Sequence, residues 1–318
     1  MKKSYLLLCF MFCCAVGAFA QQRPQYTQYM VNPFLLNPAV SGTEDYADLR
    51  AGYRKQWAGF EGSPRTMYVS AHTNIGKHLV TNNRSRSKKN GFHGIGGIIT
   101  NDAIGATNTT TLSAAYSYHL KVSKKVFVSL GAMGGFNQFS LDANKLQPAS
   151  QGDNLIQSQS KMGLGDITVG GWVYSDKFYF GASMAQLAPS LTFTRTGEAL
   201  NYQLAHHYFV MAGYMIPLGY DFKFIPSVCI KGLTPAPLSF DINAKIRYKD
   251  FLWAGVSYRN RDAVAGMVGI IINNTFDISY SYDYVTSDIH KYTGGSHEIV
   301  VGYRLRSQGR IICPSNFW

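Results

Sequence analysis

The sequence predicts an all-β protein, an outer-membrane β-barrel of about fourteen antiparallel transmembrane strands with both termini on the periplasmic side. Three observations carry this prediction: a signal peptide, a succession of short segments in which polar and apolar residues alternate, and connections that alternate in length. Tight periplasmic turns and longer outer loops are typical of outer-membrane barrels, and an even number of strands returns the chain to the side from which it started.

Residues 1–20 have the three parts of a signal peptide. Two lysines precede an apolar stretch that is too short to span a bilayer, and the motif Ala18-Phe19-Ala20 is typical of a cleavage site. We therefore expect cleavage between Ala20 and Gln21. The mature chain, 21–318, is expected to form one domain made of a periplasmic lead-in (21–44), the barrel (45–306) and a periplasmic tail (307–318).

The alternation of residue types is clearest in the C-terminal third of the chain. In 239–249 and 275–284, aromatic and aliphatic residues alternate with charged and small polar ones. Successive side chains of a strand point to opposite faces, so each segment has one apolar and one polar face. Segments of this kind predict strands at 45–56, 65–75, 91–101, 109–121, 125–140, 165–174, 177–188, 203–217, 220–232, 237–248, 250–259, 263–272, 275–285 and 295–306.

The connections between these strands are short on one side and mostly long on the other. Expected periplasmic turns are 122–124, 175–176, 218–219, 249 and 273–274, whereas the outer loops include 57–64, 141–164, 189–202 and 286–294. One periplasmic connection, 76–90, breaks the pattern because it is long. It contains Lys77, His78, Arg84, Arg86, Lys88 and Lys89 and no acidic residue. It is either a solvated loop or a docking site for an acidic periplasmic partner.

Composition and charge narrow the possible functions. The 21 tyrosines suit the interfacial girdles of a barrel, and the 31 glycines suit its curved strands. The formal net charge is +12. Because a secreted chain meets little nucleic acid, we expect outer-membrane lipid head groups and acidic proteins as its partners, and no nucleic acid. The sequence contains no nucleotide-binding loop and no Cys/His metal spacing, so no cofactor is expected.

Two motifs surround the first predicted strand. In the lead-in, Asn32-Pro33 and Asn37-Pro38 break regular structure, and the segment either plugs the periplasmic mouth or binds a periplasmic partner. The second motif, 53–66, forms the first outer turn. It supplies candidate structural or partner-binding residues of the outer rim, namely Arg54, Gln56, Trp57, Gly59, Phe60, Glu61 and Arg65. Trp57 and Phe60 are candidate anchors in the head-group layer, and Arg54, Glu61 and Arg65 are candidates for a charge network.

Catalysis has two weak candidates, the pairs His297-Glu298 and His206-His207. Adjacent strand residues face opposite sides, so neither pair forms a dyad by itself. Glu298 is expected to face the lumen with Arg304 and to form an interior ion pair, while His297 joins the outer-rim candidates. We therefore predict no catalytic residue and a non-enzymatic protein.

Several stretches together resemble the PorP/SprF family. They are YMVNPFLLNPAVSG at 29–42, YRKQWAGFEGSPRT at 53–66, GGSHEIVVGYRL at 294–305 and the Cys-Pro pair at 313–314. The resemblance implies an outer-membrane barrel that serves type IX secretion and gliding in Bacteroidota. It also implies periplasmic ring or peptidoglycan-linked proteins as partners on one side, and exported cargo or adhesins on the other.

The favoured function is a scaffold whose outer loops hold exported proteins. Its periplasmic contacts would be the tail and Asn32, Pro33, Asn37, Pro38, Arg84, Arg86, Lys88 and Lys89. A passive channel is an alternative, because inward residues of both charge signs can line a pore or pair and close it. Buried charges need partners, so we expect a largely filled lumen. A surface hydrolase, the second alternative, would lose activity on changing His297 or Glu298.

Overall fold

The computed structural model describes residues 23–77, 90–142, 161–188, 192–194, 205–233, 236–306 and 317. The strand segments are β1 Tyr46–Lys55, β2 Arg65–Ile75, β3 Gly91–Ile104, β4 Thr107–Lys121, β5 Phe127–Leu141, β6 Lys161–Tyr174, β7 Phe178–Ala185, β8 Thr192–Thr194, β9 His207–Tyr214, β10 Ile216–Leu218, β11 Phe222–Leu233, β12 Ala236–Tyr248, β13 Leu252–Arg259, β14 Ala263–Ile272, β15 Phe276–Val285 and β16 Ser296–Arg306. They form one antiparallel sheet, which closes because β1 pairs with β16.

These sixteen segments make fourteen barrel strands. The short β8 pairs with the part of β6 beyond the residues that pair with β7, and β10 continues β9 along the same neighbour, β11. The predicted fold class is confirmed, and each predicted strand has a counterpart within a few residues. The predicted tight turn at Asn273-Asn274 is also present, with φ of 50° and 53°, as the favoured two-residue hairpin turns require.

The barrel has two unlike rims. The turn rim carries the short connections 122–126, 175–177, 219–221, 249–251 and 273–275 together with 76–90. The loop rim carries 56–64, 105–106, 260–262 and 286–295. The strand ends that lie there also include those joined by 142–160, by 234–235 and by 186–206, which contains β8. The connections 105–106, 234–235 and 260–262 between strand ends at the loop rim are also short. The difference in connection length between the two rims is therefore a tendency.

The two faces of the wall are reversed relative to those of a soluble protein. The apolar side chain of Val268 is 45% exposed on the outer face, whereas Arg50 and Asp283 are 2% and 1% exposed on the inner face. Exposed tyrosines lie towards both rims, among them Tyr53, Tyr258 and Tyr284 near the loop rim and Tyr118, Tyr214 and Tyr220 near the turn rim. An apolar outer band between aromatic girdles is what a lipid environment requires.

Helices contribute little to the described part of the chain. Three short 3-10 helices are present, at Pro33–Leu35, Pro38–Val40 and Asp288–Tyr292. None of the helices in these ranges is long and apolar enough to cross a membrane.

The described part of the lead-in, 23–44, runs through the lumen from the loop rim to the turn rim. Near its middle the Asn32 amide donates to Ser70 Oγ at 2.9 Å, and closer to the turn rim Ser41 Oγ donates to Ser117 Oγ at 2.8 Å. At its end Asn74 donates to the Glu44 carbonyl at 2.6 Å. The lead-in was expected at the periplasmic mouth; instead it fills the barrel along its length. Its first described residue, Arg23, lies at the loop rim, so the predicted placement of the lead-in's start on the turn-rim side is wrong.

Glycines in the wall make room for the lead-in. A methyl carbon built on Gly131 would lie 2.5 Å from the backbone nitrogen of Ala39 and 2.7 Å from its Cα. The same addition on Gly134, which faces outward from the same strand, meets nothing within 4 Å. The absence of a side chain at Gly131 therefore permits direct contact between the wall and the lead-in backbone.

Replacing Gly131 by Val is expected to lower the free energy of unfolding by about 1–3 kcal/mol, because the added carbons overpack a filled lumen. Urea titration of the protein in detergent micelles, followed by the mobility shift of folded barrels on gels, measures the change. The matched variant Gly134→Val is expected to stay within about 0.5 kcal/mol. Equal losses in the two variants would contradict the close contact.

The end of the chain also enters the lumen. Phe317 is buried, packs edge-on against Tyr179 with ring centroids 5.1 Å apart, and accepts a hydrogen bond on its carbonyl from Lys245. Residues 307–316 and 318 lie outside the described residues. The predicted periplasmic tail therefore needs correction at Phe317, which lies inside the barrel near the turn rim.

Candidate functional site

A buried charge cluster holds the lead-in at the loop-rim end of the lumen. Arg54 pairs with Asp283 at 2.8 Å and with Glu298 at 3.2 Å, and all three side chains are almost fully buried. Arg259 approaches Asp283 at 3.6 Å and Asp241 at 3.8 Å. The interior ion pair predicted for Glu298 is confirmed. Opposite charges on neighbouring strands explain how the wall tolerates them away from water.

The lead-in completes this cluster. The backbone N–H groups of Thr27 and Gln28 donate to the two carboxylate oxygens of Glu298 at 2.7 and 3.2 Å. The Thr27 hydroxyl donates to Asp283 at 2.7 Å and accepts from Arg54 at 2.6 Å. Hydrogen bonds to charged groups are the strong ones, so the wall charges and the lead-in stabilise each other.

A second buried cluster lies nearer the turn rim. Arg50 pairs with Asp48 at 3.0 Å and with Asp277 at 3.1 Å, and Arg304 pairs with Asp277 at 3.0 Å. The inward charges predicted from the sequence thus pair along the wall rather than lining an aqueous path. The lead-in contributes to the expected filling of the lumen, because its residues contact the wall from Thr27 to Glu44.

The four Asn-Pro residues are buried inside the barrel. Asn37 accepts from the Ala39 N–H and donates to the carbonyls of Gly171 and Ala182 at 3.0 and 3.1 Å, while Pro33 and Pro38 begin the two 3-10 helices of the lead-in. Asn32 and Asn37 attach the lead-in to the inner face of the barrel wall. As contacts for a periplasmic protein, Asn32, Pro33, Asn37 and Pro38 would have to leave the lumen, so that role stays a prediction.

The rim motif divides into inner and outer parts. Gln56 and Trp57 line a cavity inside the loop rim, so the expected anchoring of Trp57 in the head-group layer is wrong. Phe60 is 46% exposed, and Gly59 occupies the left-handed region that its turn needs, with φ of 91°. Within the described residues Glu61 forms no ion pair with Arg54 or Arg65: Arg54 faces the lumen and pairs there with Asp283 and Glu298, while Glu61 and Arg65 are exposed.

Two loops of the loop rim are joined to each other. The Ala58 N–H donates to the Gly295 carbonyl at 2.7 Å, and the Gly294 N–H donates back to the Ala58 carbonyl at 2.7 Å. The connection 105–106 joins this group through a 2.9 Å bond from the Gly105 N–H to the Gly62 carbonyl. The loops 56–64 and 286–295 therefore form one hydrogen-bonded surface, which we call the rim platform.

The turn rim is rich in basic residues. Lys124, Lys125, Lys177 and Lys249 are exposed there; Lys125 lies 3.6 Å from Asp176, and Lys249 lies 3.7 Å from Asp221. Partial burial alone would raise the pKa of Asp250, but a 2.7 Å hydrogen bond from Lys223 and the charge of Arg247 lower it. The predicted contacts Arg84, Arg86, Lys88 and Lys89 lie outside the described residues.

Lys77 corrects the expectation of a wholly solvated basic loop. Its side chain is buried and donates to the carbonyl of Thr43, and its ammonium lies 5.7 Å from the centre of the Phe92 ring. It fastens the end of the lead-in to the wall. The basic loop therefore begins after this residue.

A cavity of about 520 Å³ lies inside the loop rim, beside the beginning of the lead-in. Strands β2 to β6 supply much of its wall, which is rich in hydroxyl, amide and carboxylate groups. The sequence analysis missed the inward residues Asp102, Asn137 and Asp166. Strand alternation was the available signal, since each of them has inward-facing neighbours two positions away.

The candidate catalytic pairs are separated as expected. His297 lies on the outer face, hydrogen-bonded to the Tyr280 hydroxyl at 2.7 Å, whereas Glu298 faces the lumen. His206 is exposed and His207 is buried. Within the described residues no group of three or more His, Cys, Asp and Glu residues is arranged to hold a metal ion.

Solved structures share the architecture. The monoaromatic hydrocarbon channel CymD superposes with a TM-score of 0.50 at 12% identity, covering 89% of this chain and 94% of that one. The toluene transporter TbuX of Ralstonia pickettii gives 0.47 at 11% identity, covering 88% and 94%. Omp33 of Acinetobacter baumannii gives 0.47 at 8% identity, covering 83% and 100%. At these identities the likeness to CymD indicates the barrel fold and nothing about transport.

Sequence comparison identifies the family. No curated protein matches the chain. The family model described as "Type IX secretion system membrane protein PorP/SprF" matches residues 18–303, nearly the whole sequence. With a closed barrel, an apolar outer band and this match, the chain is an outer-membrane protein that belongs to the PorP/SprF family of type IX secretion system membrane proteins.

Proposed function

We propose that the protein is a non-enzymatic scaffold of a type IX secretion machine, which holds exported proteins at its loop rim and periplasmic components at its turn rim. The observation that carries the proposal is the filled lumen. A barrel whose interior is occupied by its own lead-in offers two rims for binding rather than a path for solutes.

The loop rim suits the capture of an exported protein. The rim platform is fixed by backbone hydrogen bonds, so little of its order has to be gained on binding. It presents exposed aromatic side chains, Phe60 at 46% and Tyr292 at 70% exposure. Aromatic residues on a preformed surface are the usual anchors of protein interfaces.

The turn rim suits an acidic periplasmic partner. Lys124 and Lys177 are exposed on this rim, and the sequence between β2 and β3, whose ends lie at the same rim, contains Arg84, Arg86, Lys88 and Lys89. Clustered charge of one sign raises the rate and selectivity of association with a partner of opposite charge. Ring or peptidoglycan-linked proteins of the secretion machine are the candidates.

Neutralising Arg84, Arg86, Lys88 and Lys89 to Gln is expected to abolish capture of periplasmic ring proteins, because the attraction is electrostatic. Affinity purification of the tagged protein from cells measures capture, and assay of the culture medium measures export of type IX cargo. The control neutralises the same number of basic residues on the loop rim, Lys55, Arg65, Arg261 and Lys291. Unchanged capture by the first variant would remove the proposed periplasmic contact.

Gene deletion separates the three candidate functions. The scaffold predicts loss of type IX cargo from the medium or from the cell surface. A passive channel predicts a change in solute uptake with export intact, and a surface hydrolase predicts an activity that is lost on changing His297 or Glu298. Normal export by the deletion strain would contradict the scaffold.

A further inference from the structure

The cavity inside the loop rim is a separate compartment of the lumen. Thr27 and Gln28 fill the side lined by the charged cluster of β1, β15 and β16, whereas the opposite side is left open by the lead-in. A volume of about 520 Å³ lies within the range of small-molecule sites, about 300–1,000 Å³. It is too small for a folded protein domain.

The polar groups of the cavity are held in place. Thr66 Oγ1 donates to one oxygen of Asp102 at 2.5 Å, and the backbone N–H of Gln186 donates to one oxygen of Asp166 at 3.0 Å. Each carboxylate is thereby oriented, with its second oxygen available as an acceptor. The Asn137 side chain accepts from Thr111 at 2.5 Å, which orients its amide N–H groups for donation.

Three further polar atoms at the cavity are buried without a hydrogen-bond partner among the described residues. They are Arg23 Nη1, Gln25 Oε1 and Gln186 Oε1. One is a donor and two are acceptors. These three atoms are themselves covered, but the residues that carry them line the cavity and bring both donor and acceptor groups to it, so the lining suits a molecule that both donates and accepts. Hydroxyl groups do both.

An aromatic residue lies at the mouth of the cavity in an unusual backbone conformation. Trp57 has φ of 51°, in the left-handed region that residues other than glycine seldom adopt, and its N–H donates to Ser296 Oγ at 3.1 Å. Backbone strain of this kind costs energy and is concentrated at functional sites. Trp57 is part of the cavity lining, and Phe139 adds a second aromatic residue to it.

We propose that this cavity binds a neutral saccharide of one or two sugar units. Carboxylate, amide and hydroxyl groups pair with sugar hydroxyls, and the aromatic rings of Trp57 and Phe139 cover the apolar C–H faces of sugar rings. The mixture of donors and acceptors with aromatic surface fits this ligand class in each respect.

Other ligand classes fit the cavity less well. Asp102 on β3 and Asp166 on β6 are three strand spacings apart, about 14 Å around the wall, so one small cation does not reach both. Arg23 places a positive charge in the same lining, which disfavours a polyamine. A closed barrel has no free edge to which an extended peptide adds as a strand.

The test uses the full-length protein in detergent micelles. A microarray of neutral, acidic and aminated glycans identifies the bound class, and calorimetric titration with free maltose, cellobiose, lactose and N-acetylglucosamine gives affinities. Glycans on the array are attached to the surface at one end and so resemble the ends of polysaccharide chains. If the protein binds the array but not the free sugars, its ligand is the end of a surface polysaccharide. Binding of free sugars indicates a diffusible ligand, and both results support the proposal.

Asp166→Asn and Trp57→Ala are expected to weaken saccharide binding at least about tenfold, since the first removes a charged acceptor and the second an aromatic surface. Asp288→Asn makes the same charge change on the exposed loop rim, away from the cavity, and is expected to leave the affinity unchanged. Folding of each variant is checked by its gel mobility shift. Retention of no neutral glycan, retention of amines alone, or equal affinities in all three variants would overturn the saccharide site.

Discussion

Deleting residues 23–42 from the mature chain is expected to convert a closed barrel into a conducting pore. The deleted segment runs through the lumen from the loop rim to the turn rim, and its hydrogen bonds reach β2, β4, β6, β7 and β16. A fourteen-stranded barrel encloses more space than the eight-stranded barrels that side chains alone fill. Removal of the segment therefore leaves a water-filled path.

Single-channel recording in planar bilayers measures this effect. The wild type is expected to give no stable large unit step, and the deletion variant is expected to give one. Because the deletion also removes partners of Glu298, a second variant keeps the experiment decisive. The double variant Gly94→Val, Gly131→Val places side chains on β3 and β5 where the lead-in contacts the wall, and it does not shorten the chain. We expect the pore of this variant to open frequently. Large steps from the wild type, or closed variants, would contradict the plugging role.

Replacing Arg54 by Met is expected to lower the free energy of unfolding by about 3–5 kcal/mol. Among the residues that the structure describes, Arg54 alone is within ion-pair distance of Glu298, whereas Asp283 also has Arg259 at 3.6 Å. The substitution leaves Glu298 buried with hydrogen bonds from the lead-in but no paired charge. Breaking one partner of a buried pair costs more than removing both.

Urea titration of the barrel in micelles measures the loss. The double variant Arg54→Met, Glu298→Gln is expected to recover much of the stability, because no uncompensated charge remains. Arg65→Met removes an exposed arginine on the neighbouring strand and is expected to change stability by less than about 0.5 kcal/mol. A loss with Arg54→Met no larger than that with Arg65→Met would show that the cluster does not stabilise the barrel.

The sequence was sufficient for the barrel wall. In segments such as 275–284 the apolar residues occupy every second position, and these are the residues whose side chains face lipid. The same alternation also identified the inward charges, including Glu298, since it places them opposite the apolar residues. Strand positions and the pairing of charges inside the lumen followed from these local patterns.

The path of the lead-in and the position of Trp57 did not follow from local patterns. The Asn-Pro pairs mark where regular structure is interrupted, but Asn37 binds residues of β6 and β7 that are more than 130 positions away. Trp57 lies just beyond the end of β1, where a positive φ replaces strand alternation. The cavity is likewise lined by five strands, β2 to β6, together with the lead-in, so no single segment of the sequence predicts it.

The bonds between Thr27 or Gln28 and Glu298 connect positions 271 and 270 residues apart, so they join the lead-in to one of the last two strands of the barrel. The lead-in is synthesised first, yet the wall it binds is incomplete until β15 and β16 have joined β1. Contacts of such sequence separation form late, since the entropy of closing the intervening chain has to be overcome. We therefore expect the barrel to close and the lead-in to enter the lumen in the same late step of folding. A closed barrel with an empty lumen, through which periplasmic solutes would escape, is not expected to form.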